Sequence, residues 1–197
     1  MQKTVIIFLV IIFSGSALAQ ERNINGAETF NKPFSLIGTM GISFGGDEFP
    51  SDEEDDEGHI SAGEAFAWKL GVVLQPHMLP PQWEIQVALG WKMEGEYEDD
   101  TDGIFSRYPI DIMGYYKFNK LRCGAGLTYH LNPKYEGNNV PSNVDGDFDN
   151  ALGLILGLDY QIGNHFLVGT NYEIIAYESA TDTFNGNNLS ISLGLRF

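Results

Sequence analysis

Apolar and polar residues alternate strictly along the last nine residues of the chain, LSISLGLRF. Leu189, Ile191, Leu193, Leu195 and Phe197 fall on one side, and the intervening positions are small or polar. This period of two predicts a β-strand with one wholly apolar face. The same alternation recurs in seven further segments, at 33–44, 66–75, 83–94, 107–118, 121–132, 152–162 and 166–176. The chain is therefore predicted to be all-β with eight strands.

The connections between these segments alternate between long and short. The short ones contain turn-forming residues and lie at 76–81, 119–120 and 163–164. If consecutive strands pair antiparallel, every long connection falls at one end of the sheet, and the tight turns fall at the other end with both termini. An even strand number with this loop asymmetry predicts a closed eight-stranded antiparallel up-and-down transmembrane β-barrel, with both termini in the periplasm.

Aromatic side chains on the apolar face cluster at the two ends of the segments, and aliphatic residues lie between them. Near the tight turns are Phe34, Trp83, Tyr116, Phe118, Tyr160, Phe166 and Phe197. Near the long connections are Phe44, Phe66, Trp68, Trp91, Tyr108, Tyr129 and Tyr172. Two aromatic girdles around an aliphatic band are typical of a bilayer-facing surface. The alternative is a soluble barrel or sandwich, in which the apolar face would meet a protein core.

The opposite face carries the charged residues of the strands. Because buried charges must be paired and the interior of an eight-stranded barrel is filled by side chains, we expect an ion-pair network that plugs the lumen. Its members are Lys69, Glu84, Lys92, Arg107, Asp111, Lys117, Arg122, Asp159, Glu173 and Arg196. The functional alternative for the same residues is a gated path for a small polar solute or ion.

The chain begins with MQKTVIIFLVIIFSGSALAQ, in which one Lys precedes a short apolar run and an A-x-A site. These are the marks of a secretory signal peptide, because the run is too short to span a bilayer. We therefore assign residues 1–19 to a cleaved signal peptide, 20–32 to a short periplasmic tail and 33–197 to the barrel. Cys123 is the only cysteine, which excludes an internal disulfide.

The predicted outer loops are acidic. The sequence has 27 Asp and Glu against 11 Lys and Arg, a net charge of −16, which argues against nucleic-acid binding. Eight carboxylates lie between Asp47 and Glu57. Solvated loop tips are one interpretation, and a Ca²⁺ or Mg²⁺ site that bridges the loops to lipopolysaccharide is the other. The candidate ligands are Asp52, Glu53, Glu54, Asp55, Asp56 and Glu57.

For catalysis, only His130 among the histidines is predicted to point into the lumen, near the outer mouth. Ser43, Ser106 or Glu94 are the residues that could approach it. A histidine with unplaced serine partners does not define a triad, because a triad depends on geometry. We assign no catalytic residue and no cofactor, and expect the protein not to be an enzyme.

Taken together, these residues resemble the small eight-stranded outer-membrane barrels of Gram-negative bacteria, the OmpX-like and OmpA-transmembrane-type proteins. The resemblance covers residues from about 33 to the end and rests on topology and on the terminal aromatic of SLGLRF. It implies that Phe197 is an assembly signal for the barrel-assembly machinery. It also implies a monomer in the cell outer membrane, in contact with lipid and lipopolysaccharide, with a role in envelope structure or adhesion. The alternatives within the family are a narrow OmpW-like channel for small or hydrophobic solutes and a lipid-A-modifying enzyme.

Overall fold

The computed structural model describes residues 33–48, 60–98, 101–137, 147–180 and 182–197. Ten β-strands form in this part of the chain: β1 (Phe34–Phe44), β2 (Ala65–Leu74), β3 (Trp83–Glu98), β4 (Thr101–Phe118), β5 (Leu121–Gly137), β6 (Ala151–Ile162), β7 (Phe166–Ile174), β8 (Ala176–Glu178), β9 (Thr183–Asn185) and β10 (Asn188–Arg196). None of the described residues belongs to a helix long and apolar enough to cross a membrane.

Eight of these strands close into one antiparallel barrel, in the order β1, β10, β7, β6, β5, β4, β3, β2. The first and last barrel strands complete the ring, with a register that runs from Ile37 opposite Arg196 to Phe44 opposite Leu189. The predicted fold class is therefore confirmed. The other two strands, β8 and β9, form a separate short hairpin in the last long connection.

The barrel wall is apolar outside and polar inside, the reverse of a soluble protein. Along β6, residues Leu152, Leu154, Leu156 and Leu158 are exposed, and the positions between them face inward. The exposed apolar surface includes aromatic residues at both ends of the strands, such as Phe166 and Phe44. A water-soluble protein would not expose an apolar surface of this size to solvent. This surface therefore contacts lipid.

This orientation predicts a depth-dependent cost for a charge on the outer face. Leu156 lies midway along β6 and is 51% exposed, whereas Leu152 lies at the outer end of the same face and is 65% exposed. Leu156→Arg is expected to destabilise the barrel in vesicles by about 2–4 kcal/mol, and Leu152→Arg by no more than about 1 kcal/mol. Urea unfolding in lipid vesicles measures both, and equal costs at the two positions would argue against a bilayer-spanning wall.

The tight turns form where the sequence places them. Asn119, in the turn between β4 and β5, has φ 55, and Gly163, between β6 and β7, has φ 64. Asparagine and glycine are the residues that enter this left-handed region most readily. The short turns therefore lie together at one end of the barrel, as the sequence predicts.

Three strands extend further than the sequence suggests. The segment 95–103 is predicted to be a loop, but β3 continues to Glu98, β4 begins at Thr101 and β5 runs to Gly137. These extensions pair with one another, from Glu94 opposite Phe105 outward. The sequence does not reveal them because their residues are polar and lack the apolar alternation of the lipid-facing part. Several sequence predictions lie outside the described residues: the signal peptide 1–19, the tail 20–32 and the acidic run 52–57.

Candidate functional site: the barrel lumen and its outer lid

The turn-end half of the lumen is organised around Glu84 of β3, whose side chain is fully buried. Its Oε1 lies 2.8 Å from Nη2 of Arg196 and 3.0 Å from Nζ of Lys117. Its Oε2 lies 3.2 Å from Nη1 of Arg122. Because β3 and β10 are not neighbours in the barrel, the contact between Glu84 and Arg196 crosses the lumen. The Glu84 carboxylate thus forms ion pairs with cations from three other strands.

Arg122 extends this layer to Asp159, its direct cross-strand partner on the neighbouring strand β6. Its Nη2 lies 2.6 Å from Oδ2 of Asp159, and its guanidinium stacks 4.3 Å from the ring centroid of Tyr115. Lys117 and Arg122 are direct cross-strand partners on β4 and β5, a like-charge pairing that is unfavourable by itself. The carboxylates of Glu84 and Asp159 offset this repulsion. We refer to Glu84, Lys117, Arg122, Asp159 and Arg196 as the inner layer.

A second layer crosses the lumen nearer the outer mouth. Nζ of Lys92 lies 2.6 Å from Oε2 of Glu173, and Nζ of Lys69 lies 2.6 Å from Oδ2 of Asp111 and 3.4 Å from Oε1 of Glu173. Asn188 donates to Glu173 over 3.1 Å. Lys92 belongs to β3 and Glu173 to β7 on the far side of the barrel. We refer to Lys69, Lys92, Asp111 and Glu173 as the outer layer.

A small cavity separates the two layers. Its volume is about 50 Å³, and its lining includes Lys69, Asp111, Arg122, Asp159 and Glu173. A polar space of this size holds a few water molecules. Within the described residues the lumen is thus an alternation of ion-paired side chains and a water-sized chamber.

Arg107 occupies a different place from the other charged residues of the predicted network. Its side chain is fully buried above the outer layer, where Nη2 donates to the backbone carbonyl of Glu64 over 3.0 Å. The guanidinium lies 4.5 Å from the ring centroid of Phe105 and 5.7 Å from that of Tyr177. Among the described residues, its Nε and Nη1 have no hydrogen-bond partner. Arg107 therefore stacks under aromatic rings and takes no part in the ion pairs of the outer layer.

His130 is buried at the same level, as the sequence predicts for a lumen-facing residue. Its Nδ1 lies 2.6 Å from the hydroxyl of Tyr177, and its Nε2 lies 3.9 Å from Oε2 of Glu173. Ser43 instead donates to the carbonyls of Gly63 and Ala65. The hydrogen bonds of the described residues thus do not join His130 to a serine.

Described residues of the first, third and last long connections contact one another over the outer mouth, and we call this structure the lid. Asp47 accepts a hydrogen bond from the backbone N–H of Asn185, and Asp149 N–H donates to the carbonyl of Glu178. Beneath these contacts, an apolar cluster packs onto Arg107 and His130. Its members are Ile60, Ala62, Phe105, Phe148, Ala151, Ile175, Tyr177 and Phe184.

The pattern of apolar and polar residues does not mark the lid. Its aromatic members are isolated in polar surroundings, for example Phe148 in DFD and Phe184 in TFN, so no periodicity marks them. A large aromatic residue within a polar loop is nevertheless a signal, because solvated loops have no need of one. Among the described residues no group of His, Cys, Asp or Glu is placed to hold a metal ion.

Phe197 lies at the seam where the barrel closes. Its backbone N–H donates to the carbonyl of Leu36, and its carbonyl accepts from the N–H of Leu36, both over 3.0 Å. Its ring stacks on His165 with centroids 6.0 Å apart. Phe197 therefore extends the β1–β10 pairing by one residue.

Deletion of Phe197 is expected to reduce folded protein in the outer membrane severalfold, because it removes two seam hydrogen bonds as well as the proposed terminal assembly signal. Phe197→Tyr, which keeps the backbone and the ring, is the matched control and should assemble normally. Heat-modifiable gel migration of outer-membrane fractions measures the folded amount. Normal assembly of the deletion variant would show that Phe197 is not an assembly signal.

A closed eight-stranded wall with an apolar exterior and an ion-paired interior defines a transmembrane β-barrel. A family model described as "Outer membrane protein beta-barrel domain" matches residues 5–197. The chain belongs to this family and is a protein of the outer membrane. No curated protein matches the sequence significantly.

Solved structures of similar fold come from several bacteria. Neisserial surface protein A (NspA) matches with a TM-score of 0.48 and 11% identity, over 84% of this chain and 98% of that chain. Ail of Yersinia pestis, in complex with the heparin analogue sucrose octasulfate, matches with a TM-score of 0.46 and 15% identity, over 84% and 100%. OprG of Pseudomonas aeruginosa matches with a TM-score of 0.45 and 15% identity, over 84% and 96%.

Proposed function

We propose that this protein is a non-enzymatic, plugged outer-membrane barrel that acts through its place in the envelope and through its outer surface. The observation that carries this proposal is the pair of ion-paired layers that cross the lumen. The contacts Glu84–Arg196 and Lys92–Glu173 each join strands that are not neighbours in the barrel.

The energy of these contacts supports a closed lumen. A solute that crossed the lumen would have to separate these buried ion pairs. Leaving one member of such a pair without its partner typically costs about 3–5 kcal/mol. The side chains involved are nearly inaccessible, with exposures of 1% for both Lys92 and Glu173. The lid adds an apolar barrier above them, with Phe105 and Tyr177 fully buried.

The proposed partners follow from this location. The exposed aliphatic band would contact lipid, and the acidic outer connections would lie at the level of lipopolysaccharide. These connections would carry the role of the protein in adhesion or envelope structure. The barrel-assembly machinery would recognise the chain during biogenesis. We propose that the protein is a monomer. We also propose that both termini lie in the periplasm, because the tight turns and the end of β10 lie at the same rim.

A narrow channel is the second candidate, and the central cavity is the observation in its favour. The cavity of about 50 Å³ is lined by charged and polar groups, as a conduction path would be. In this view the two layers are gates that open transiently.

A swelling assay with liposomes of outer-membrane lipids separates the two candidates. With the purified protein inserted, the proposal predicts that sugars as small as pentoses enter no faster than into empty liposomes. Rapid pentose entry would establish the channel.

A further inference from the structure

Arg107 is a buried cation whose hydrogen-bonding capacity is largely unused. Its side chain is fully buried, and Nη2 donates over 3.0 Å to a neutral acceptor, the backbone carbonyl of Glu64. Nε and Nη1 carry further N–H bonds, and neither atom has a hydrogen-bond partner among the described residues. A guanidinium does not lose its charge in a protein. Because a buried charge without a counter-charge is strongly destabilising, these N–H groups indicate a site for an anion.

The charged residues around Arg107 leave its charge unbalanced. Its direct cross-strand partner on β3 is another cation, Lys92, whose Nζ lies 2.6 Å from Oε2 of Glu173. The outer layer holds as many carboxylates as cations, so it has no negative charge to spare. Glu94 lies two residues further along β3, where its Oε1 accepts from the N–H of Ser61. Its Oε2 has no hydrogen-bond partner among the described residues, so Glu94 donates no hydrogen-bonded contact to the guanidinium.

The space around the guanidinium is closed to solvent and walled by rings. Its central carbon lies 4.5 Å from the ring centroid of Phe105 and 5.7 Å from that of Tyr177, and both rings are fully buried. His130 packs on Tyr177 with centroids 5.8 Å apart, and its Nε2 also has no hydrogen-bond partner among the described residues. The edges of aromatic rings carry partial positive charge. The cation and its walls are therefore suited to an ion of opposite sign.

The charge and the enclosure of the site define the kind of anion. One unbalanced cation requires one negative charge, and a second would itself be unpaired. The cost of taking an ion out of water rises steeply with its charge, so phosphate and sulfate dianions are disfavoured at a site without exposed surface. A compact monovalent anion of the size of chloride satisfies both conditions.

We propose that Arg107 binds one chloride ion beneath the lid. Nε and Nη1 donate to the ion, which neutralises the cation that the outer layer leaves unpaired. The bound ion also stabilises the lid, because Arg107 holds the first long connection through the carbonyl of Glu64 and the last one through the ring of Tyr177. This site goes beyond the proposed function, because a lumen plugged by ion pairs requires no bound ion.

The dependence of stability on chloride tests the site. The protein is reconstituted in vesicles of zwitterionic lipid and unfolded in urea at constant ionic strength, while sodium chloride is replaced stepwise by sodium gluconate. Gluconate carries the same charge but is too large for a site enclosed by buried rings. Because unfolding releases the ion, the equilibrium constant of unfolding is expected to fall by about tenfold for each tenfold rise in chloride once the site is saturated. An unfolding constant that is the same in both salts would overturn the proposal, because water alone would then solvate Arg107.

Three variants assign the effect to Arg107. Arg107→Met keeps an apolar stem without charge or donors and should lose the chloride dependence. Lys134→Met also removes one cation, but from a side chain that is 40% exposed, and should keep the full dependence. Arg107→Lys keeps the charge without the planar set of donors and should show a weaker dependence.

Heat-modifiable gel migration identifies the variants that fold. An undiminished chloride dependence in folded Arg107→Met protein would overturn the proposal, because the ion would then bind elsewhere. If Arg107→Met does not fold, Arg107→Lys provides the same comparison, and an undiminished dependence there would equally overturn it.

Discussion

Replacing Glu84 with alanine is expected to destabilise the folded barrel by about 3–5 kcal/mol, because it leaves buried cations without their shared partner. Arg196, Lys117 and Arg122 all contact this carboxylate, whose side chain is fully buried. Arg122 retains Asp159 at 2.6 Å. Arg196 retains its hydrogen bond from Nε to the Ser35 hydroxyl, which is a neutral partner.

Urea unfolding of the protein in lipid vesicles measures this cost. Glu136→Ala is the matched control, since Glu136 forms a surface pair with Lys134 and its side chain is 64% exposed. An exposed pair of this kind contributes about 0–1 kcal/mol. If Glu84→Ala were as stable as Glu136→Ala, the inner layer would not be a stabilising network.

The second large effect concerns the outer layer. Glu173→Ala is expected to cost about 3–5 kcal/mol, because Lys92 is 1% exposed and loses its carboxylate partner. The remaining contact of Lys92 is with Oδ1 of Asn188 at 3.5 Å. Lys69 is less affected, because Asp111 still holds it at 2.6 Å.

A double variant distinguishes a lost ion pair from a packing defect. Adding Lys92→Met to Glu173→Ala removes the orphaned charge, so the double variant should be more stable than Glu173→Ala alone. If the costs of the two substitutions simply added, the coupling between Lys92 and Glu173 would be negligible. Urea unfolding of the wild type, the two single variants Glu173→Ala and Lys92→Met, and the double variant under one set of conditions gives the coupling energy.

The membrane-spanning part of the fold could be predicted from sequence because one physical constraint dominates it. Each strand must present alternate residues to lipid, so LSISLGLRF and its seven counterparts carry a period of two. The turns at Asn119 and Gly163 add local chemistry that favours positive φ. These signals are local. They determine the number of strands, their pairing order and which side of each strand faces lipid.

The arrangement inside the barrel depends on distances that the sequence does not contain. Which carboxylate meets which cation is set by the stagger of the closed sheet, so Glu84 meets Arg196 across the lumen although the residues are 112 positions apart. Arg107 lies at the bulge between Ser106 and Tyr108 and stacks on Phe105, a contact that no sequence pattern marks. The lid cannot be predicted from the sequence pattern, because Tyr177, Phe148 and Phe184 pack between loops that have no periodicity.

Single-molecule conductance in planar lipid bilayers tests the plugged barrel most directly. Purified wild-type protein is inserted at neutral pH and recorded beside Glu84→Ala protein, with heat-modifiable gel migration as the check that both are folded. The ion-paired layers predict no steady open state for the wild type, and at most brief openings for the variant, which keeps the outer layer and the lid. A steady, ion-selective conductance from the folded wild-type protein would contradict a lumen closed by Glu84, Glu173 and their cations.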